Sequence, residues 1–205
     1  MKTPSPELKL SPLGSSFLKA DDTAIHFYYS VAEQTRFAPQ LQEALERGMG
    51  LVLASAGDRH PLLTLGALRP PRFPRQNNFL RLQVTPNLQR TIASIAQATA
   101  ALGQRLPEVR LLADFDGLVA SEAIFDVEAE LSRQTRGLRV LTISQYDGNA
   151  FPAPITIEQF QTHALTVVGN VFYSENRSFV APEQYARERT RAALKASARA
   201  AGKSA

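Results

Sequence analysis

The sequence predicts an α/β protein built on a mostly parallel, doubly wound sheet. Short apolar runs alternate along the chain with segments whose apolar residues recur at helical spacing. Strands that alternate with helices favour crossover connections, which join parallel strands. Several of the apolar runs are unbroken, and this is typical of parallel strands that are covered on both faces.

The first predicted strand is 24–29, and the pattern Ser30–Glu33 after it fits a capping box at a helix start. The helix is expected to end at Gly48. Its buried face is predicted to consist of Phe37, Leu41, Ala44 and Leu45. An unbroken strand at 50–57 follows, then a weak helical stretch at 61–68 and, at 69–78, a loop whose three prolines forbid regular structure.

The rest of the chain continues the alternation. The clearest helix begins at Pro86, and one face carries Leu88, Ile92, Ile95, Thr99, Leu102 and Leu106. A later helix opens at Ser121 and turns Ile124, Val127 and Leu131 inward. The other predicted elements are strands at 79–85, 108–116, 138–147 and 164–170, and a short helix that starts at a Thr156–Gln159 capping box and reaches His163.

Length and composition predict one globular domain with two tails. The 205 residues divide into a loose Pro- and Ser-rich arm at 1–20, the domain at 21–182, and an Ala/Arg-rich helical tail at 183–205. The tail carries six basic and two acidic residues. Its net charge is therefore +4, which equals the net charge of the whole chain. Residues 1–182 are therefore neutral in sum, and the basic pI describes the tail.

The absence of several residue patterns limits the chemistry that we expect. Cysteine is absent, which excludes disulfides, thiol catalysis and cysteine zinc sites. The three histidines lie far apart, so we expect no metal and no cofactor. No apolar run reaches the roughly 18 residues of a membrane span, and the N-terminus lacks the apolar core of a signal peptide. The expected location is the cytoplasm, without membrane contact.

Polar residues follow several predicted strands at their carboxyl ends, where ligands bind in open α/β sheets. The segments are 28–30, 55–60, 114–116 and 145–147. We expect most of the following to face one cavity: Tyr29, Asp114, Asp116, Tyr146, Asp147 and His163. The competing interpretation is that such residues only form turns and caps.

The motifs of common catalytic sites are missing. A phosphate-binding loop needs the pattern G-x-x-x-x-G-K-[ST], whereas the first turn has no glycine or lysine and places Glu33 where phosphate would lie. Asp114 closes a strand as the magnesium-holding aspartate of an ATPase does. His60 and Asp58 share a loop, but no motif places a serine beside them. We therefore expect no catalytic residues.

Two basic segments suggest contact with nucleic acid or with a protein partner. One is the arginine- and proline-rich loop with Arg69, Arg72 and Arg75, and the other is the tail with Arg187 and Arg191. Arginines neutralise phosphates, and neighbouring aromatic side chains stack on bases. The alternative is a solvated loop and a solubilising tail.

Residues 144–185 resemble the end of the MEDS domain, the methanogen/methylotroph DcmR sensory family. The matching residues are Tyr146, Asp147, Phe151, Thr162, His163, Asn176, Phe179 and Pro182. Segments 25–30 and 43–55 resemble its opening through His26, Tyr29, Gly48 and Leu51. The chain departs from the family at Ala164 and Arg177, where the family has proline.

The resemblance implies a RecA- and KaiC-like fold that has lost its phosphate loop, and a sensory role. Together with this resemblance, the expected ligand-binding residues are His26, Tyr29, Asp58, His60, Asp114, Asp116, Tyr146, Asp147 and His163. We expect a non-enzymatic regulatory protein that binds a small ligand or a protein partner; a homo-oligomer stays open. Two alternatives remain: a nucleotide switch or weak ATPase that uses Asp114 and Asp116, and a nucleic-acid adaptor that uses the basic loop and tail.

Overall fold

The structure, a computed structural model, describes residues 22–57, 59–69, 78–115, 124–150, 165–169, 171–173 and 180, and within the tail 184, 187–188, 190–192 and 194–195. The arm at 1–20, the loop arginines Arg72 and Arg75, and the predicted helix that reaches His163 lie outside these residues.

A seven-stranded sheet forms the centre of the molecule. Its strands are β1 (Thr23–Tyr28), β2 (Gly50–Ser55), β3 (Phe79–Gln83), β4 (Val109–Asp114), β5 (Val140–Asp147), β6 (Leu165–Val168) and β7 (Val171–Tyr173). Their order across the sheet is β3-β2-β4-β5-β1-β6-β7. The first six are parallel, and β7 pairs antiparallel with β6. This confirms the predicted α/β class and is consistent with a RecA-like α/β fold.

Helices cover both faces of this sheet. They are α1 (Val31–Gln34), α2 (Ala38–Glu46), α3 (Pro61–Thr64), α4 (Leu88–Gly103) and α5 (Ile124–Thr135). Because side chains alternate along a strand, Leu51 and Leu53 of β2 pack towards α2 and α3, whereas Val52 and Ala54 pack towards α4. Two apolar layers therefore hold the sheet between them.

The predicted apolar stripes are confirmed. On the first helical segment the four residues of the expected face are buried, and so are Ile92, Ile95, Thr99 and Leu102 of α4 and Ile124, Val127 and Leu131 of α5. Gly48 and Gly137 follow their helices with φ of 76° and 77°, the left-handed region that glycine enters without strain.

Three boundaries differ from prediction. The first helical segment is broken at Thr35–Phe37, since Pro39 lies in the first turn of α2 and has no N–H to continue a helix from α1. Helix α4 is capped by the side chain of Asn87, which accepts from the Arg90 N–H, so Pro86 precedes the helix. The single strand predicted at 164–170 is a hairpin whose turn includes Gly169, at φ 52°.

Candidate functional site

A row of polar side chains crosses one face of the sheet near its carboxyl edge. Strand register aligns Gln83 of β3 with Ser55 of β2, Ser55 with Asp114 of β4, Asp114 with Gln145 of β5, and Gln145 with His26 of β1. The residues two positions earlier on β2, β4, β5 and β1 are all apolar: Leu53, Leu112, Ile143 and Ala24. The polar row therefore lies at the carboxyl end of the apolar layer that packs beneath α2 and α3.

Asp114 is the centre of this row and is almost completely buried. Gln34 of α1 donates from Nε2 to Oδ2 over 2.7 Å, and the Tyr28 hydroxyl lies 3.5 Å from Oδ1. The same Gln34 amide lies 3.2 Å from the Tyr28 hydroxyl. A buried carboxylate is costly unless such donors surround it. The protein's own side chains thus occupy the approach to Asp114.

His60 encloses Asp114 from the loop that follows β2. Its Nε2 atom lies 3.0 Å from Asp114 Oδ2, with both side chains nearly inaccessible. The N–H is not directed at that oxygen, so the contact is electrostatic and not an aligned hydrogen bond. Nδ1 accepts from the Leu62 N–H over 3.2 Å and caps α3, which assigns the ring proton to Nε2. His60 therefore has a structural task in addition to its contact with Asp114.

His26 and Gln145 continue the row towards β1. Gln145 Nε2 lies 2.9 Å from His26 Nδ1 and 2.9 Å from the Gln34 carbonyl oxygen, so it ties β1, β5 and α1 together. Burial, and next the nearby Arg36 guanidinium, lower the pKa of His26 to about 3 from its ordinary 6.5, against a smaller opposing effect of the Gly169 backbone. His26 is consequently neutral at physiological pH and accepts through Nδ1.

Tyr29 and Asp147 lie together at the rim of the sheet. The Tyr29 ring covers Gly148, where an added Cβ would lie 2.4 Å from Tyr29 Cε1. Asn149 joins them: its side-chain amide donates to Asp147 Oδ1 over 2.9 Å and to the Tyr29 carbonyl oxygen over 3.3 Å. Partial burial, then Glu33 and Asp147, raise the pKa of the Tyr29 phenol.

The first turn of the fold holds a carboxylate of its own. Glu33 accepts from the Tyr29 N–H over 2.8 Å, while the Ser30 hydroxyl accepts from the Glu33 N–H over 3.3 Å. The predicted capping box is present, shifted by one residue because the glutamate takes Tyr29 and not Ser30. A negative charge thus occupies the turn after β1, where an ATPase would receive phosphate.

The expectation that Tyr146 shares a cavity with Asp114 and Asp147 is wrong. Successive side chains on a strand point to opposite faces, so Tyr146 lies on the α5 side while Gln145 and Asp147 lie on the other. Its ring stacks between Phe27 and Phe115, with centroid distances of 5.7 Å to each. Its hydroxyl donates to the buried Glu128, and burial followed by that carboxylate raises the pKa of Tyr146.

The other predicted residues divide into two groups. Arg69, Arg187 and Arg191 are exposed, as a partner or nucleic-acid contact requires. Asp58, Asp116 and His163, together with Arg72 and Arg75, lie outside the described residues. Within the described part, the structure brings together His26, His60 and Asp114 in the buried row, and Tyr29 with Asp147 at the rim.

Two residues that organise the site were missing from the predicted set. Gln34 and Tyr28 both contact Asp114, although Gln34 is 80 positions away in sequence. Tyr28 had a usable signal, because it alternates with Phe27 on the same strand and must share a face with His26. Gln34 had no usable signal in the sequence, since an amide in a short helix belongs to no motif.

The described residues contain no group of three histidine, cysteine, aspartate or glutamate side chains placed to hold a metal ion. Asp114 accepts from the Gln34 amide over 2.7 Å and lies 3.0 Å from His60 Nε2, whereas Mg²⁺ requires oxygen ligands and bound waters in that place. None of the helices in the described segments is long and apolar enough to cross a membrane. The chain matches no protein-family model, and no curated protein matches it either.

Proposed function

We propose that this protein is a non-enzymatic sensory or regulatory module that binds a small ligand or a protein partner at the carboxyl edge of a degenerate ATPase-like sheet. The observation that carries the proposal is the enclosure of Asp114 by Gln34, His60 and Tyr28. In an ATPase the corresponding aspartate must remain open to a hydrated magnesium ion. Here amide and imidazole groups fill that space.

The turn after β1 supports the same proposal. ATP binding needs backbone N–H groups and a lysine that face the phosphates. Glu33 takes one of these N–H groups and brings a negative charge, which repels a polyphosphate. The sequence resemblance to MEDS sensory domains favours a signalling role, and we place that role in the cytoplasm as part of the proposal.

Melting curves of the full chain test the proposal. A ligand at 100 times its Kd raises the free energy of unfolding by about 2.7 kcal/mol. We expect no such rise with Mg-ATP or Mg-GTP. A Mg-ATP-dependent rise that disappears in Asp114→Asn would replace the proposal with the nucleotide switch. The matched control is Asp126→Asn, which removes an exposed carboxylate from the first turn of α5.

A further inference from the structure

A small cavity opens at the edge of the sheet, beside the buried polar row. It measures about 190 Å³ and is lined by Gly57, Arg81, Leu82 and Gln83. It lies where β2 and β3 end, on the carboxyl edge at which α/β sheets bind ligands. The cavity is open to solvent, whereas Asp114 is buried.

Arg81 is a charged residue in an otherwise apolar row. Register aligns it with Leu53, which aligns in turn with Leu112 and Ile143. Its Nη2 donates to the Gly57 carbonyl oxygen over 2.9 Å. In the described part of the chain no carboxylate pairs with Arg81, although Arg47, Arg110 and Arg133 each have one. The other N–H groups of its planar fork have no carboxylate partner among the described residues.

Gln83 supplies a second polar group on the same face as Arg81. It stands two positions further along β3, and its side chain forms no hydrogen bond with any residue that the structure describes. A guanidinium pairs with a carboxylate or phosphate through two parallel hydrogen bonds, and an amide adds a third. This set of donors fits an oxyanion.

The cavity volume limits the size of the ligand. One water occupies about 30 Å³ of liquid, so the cavity holds roughly six waters, well below the roughly 300–1,000 Å³ of sites for drug-sized molecules. A short mono- or dicarboxylic acid or inorganic phosphate fits, and a nucleotide does not. We propose that Arg81 and Gln83 bind a small acid through its oxyanion group, which narrows the ligand class of the proposed sensory function and rests on that function.

The cavity also has a route to the buried row. The Gly57 carbonyl oxygen accepts from Arg81 and from the Ser55 hydroxyl, the latter over 3.1 Å. Ser55 is the register partner of Asp114. Arg81 and Ser55 therefore share one acceptor, and this connects the cavity to the row.

The structural alternative is that Arg81 only keeps the edge strand β3 from pairing with another chain. A charged side chain on an edge strand prevents pairing with another chain. Arg81→Lys separates the two roles, because it keeps the charge but loses the planar fork. Arg81→Gln removes both the positive charge and the guanidinium fork. Arg90→Gln is the matched control, since Arg90 is an exposed arginine on α4 that does not line the cavity.

The experiment measures binding of acetate, succinate, sulfate and inorganic phosphate to the full chain by melting curves and calorimetry, with chloride at equal ionic strength as reference. We expect at least one oxyanion to bind, with affinity at least tenfold weaker in Arg81→Gln and Arg81→Lys and unchanged in Arg90→Gln. Comparison of acetate and succinate with inorganic phosphate shows whether a carboxylate or a phosphate is the oxyanion that binds. Equal oxyanion responses in wild type and Arg81→Gln, or none in wild type, would overturn the proposal.

The two proposals fail separately. Absence of oxyanion binding to the wild type, with no response to Mg-ATP, rejects the Arg81 subsite and leaves the non-enzymatic function standing. A response to Mg-ATP that depends on Asp114 rejects the proposed function, while the oxyanion series still decides the subsite. Association of Arg81→Gln into larger species, with oxyanion binding unchanged, would assign Arg81 to edge protection and reject the subsite.

Discussion

Gln34 stabilises the charge at the centre of the molecule although it is neither charged nor part of a motif. Its amide donates to Asp114, and its backbone carbonyl accepts from Gln145. The residue therefore connects α1 to two strands. A hydrogen bond to a charged group contributes more than one between neutral groups, roughly 1.5–3 kcal/mol.

Replacing Gln34 with alanine should lower the free energy of unfolding by about 1–3 kcal/mol, because the buried Asp114 carboxylate loses its shortest described hydrogen bond. Urea unfolding of wild type and variant measures the loss. Gln89→Ala, an exposed glutamine on α4, is the control and should change stability by less than about 0.5 kcal/mol. Equal midpoints for Gln34→Ala and wild type would show that Gln34 does not stabilise Asp114.

His26 should make the protein less stable in mild acid. In the unfolded chain the imidazole binds a proton below about pH 6.5, whereas burial lowers the folded-state pKa to about 3. The unfolded state thus binds more protons in this window, so stability is full above pH 6.5 and is lost as the pH falls towards 3. Between pH 7 and pH 5 the loss due to His26 is about 2 kcal/mol.

The variant His26→Asn isolates this contribution, because its side-chain oxygen can accept the Gln145 hydrogen bond without titrating. Urea unfolding at pH 7 and pH 5 should show a larger drop for wild type than for the variant, by about 2 kcal/mol. Parallel drops in the two proteins would mean that His26 titrates normally in the folded state.

At the scale of elements, register brings the site together. The order of strands places β4 and β5 between β2 and β1, so Ser55, Asp114, Gln145 and His26 become neighbours although the chain separates them widely. Local patterns predicted the strands β1 to β6 and the faces of α4 and α5. They carry no information on register between distant strands, and so they could not predict the row.

Two of the errors at this scale have local causes. Tyr146 was assigned to the crevice with Asp147 although alternation on one strand puts adjacent residues on opposite faces. The hairpin of β6 and β7 was missed although Gly169-Asn170 between β-branched residues is a two-residue turn pattern. Both signals were present in the sequence.

The contact between Tyr29 and Gly148 joins the end of β1 to the end of β5 and can be tested with paired variants. Gly148→Ala should cost about 1–3 kcal/mol, because the new methyl group would lie 2.4 Å from the Tyr29 ring. In a Tyr29→Ala background the same change should cost much less. Gly103→Ala is the control, since its Cβ would meet no atom closer than 4.0 Å. Equal costs of Gly148→Ala in both backgrounds would reject the contact.

At the scale of the whole molecule, the net positive charge lies in the tail at 183–205, because residues 1–182 are neutral in sum. Every tail residue whose accessibility is described is exposed, including Arg187, Arg191 and Leu194. Exposed side chains contribute little to the free energy of unfolding. This agrees with the view that the tail acts through contacts with other molecules.

A chain that ends at Pro182 should melt within a degree or two of the full chain and should lose its net positive charge. Its association with DNA, RNA or a protein partner should weaken, and the difference should shrink as salt increases. Calorimetry of the two chains, followed by binding at two salt concentrations, measures both effects. An insoluble truncated chain, or one that melts many degrees lower, would show that the tail covers the sheet.

The central claim is that the protein's own side chains close the site at Asp114 against nucleotide chemistry. Phosphate release from Mg-ATP by the purified full chain tests it most directly, with Asp114→Asn measured in parallel. We predict release at the rate of the buffer blank for both proteins. Release by wild type that is several-fold above the blank and is abolished in Asp114→Asn would contradict the account.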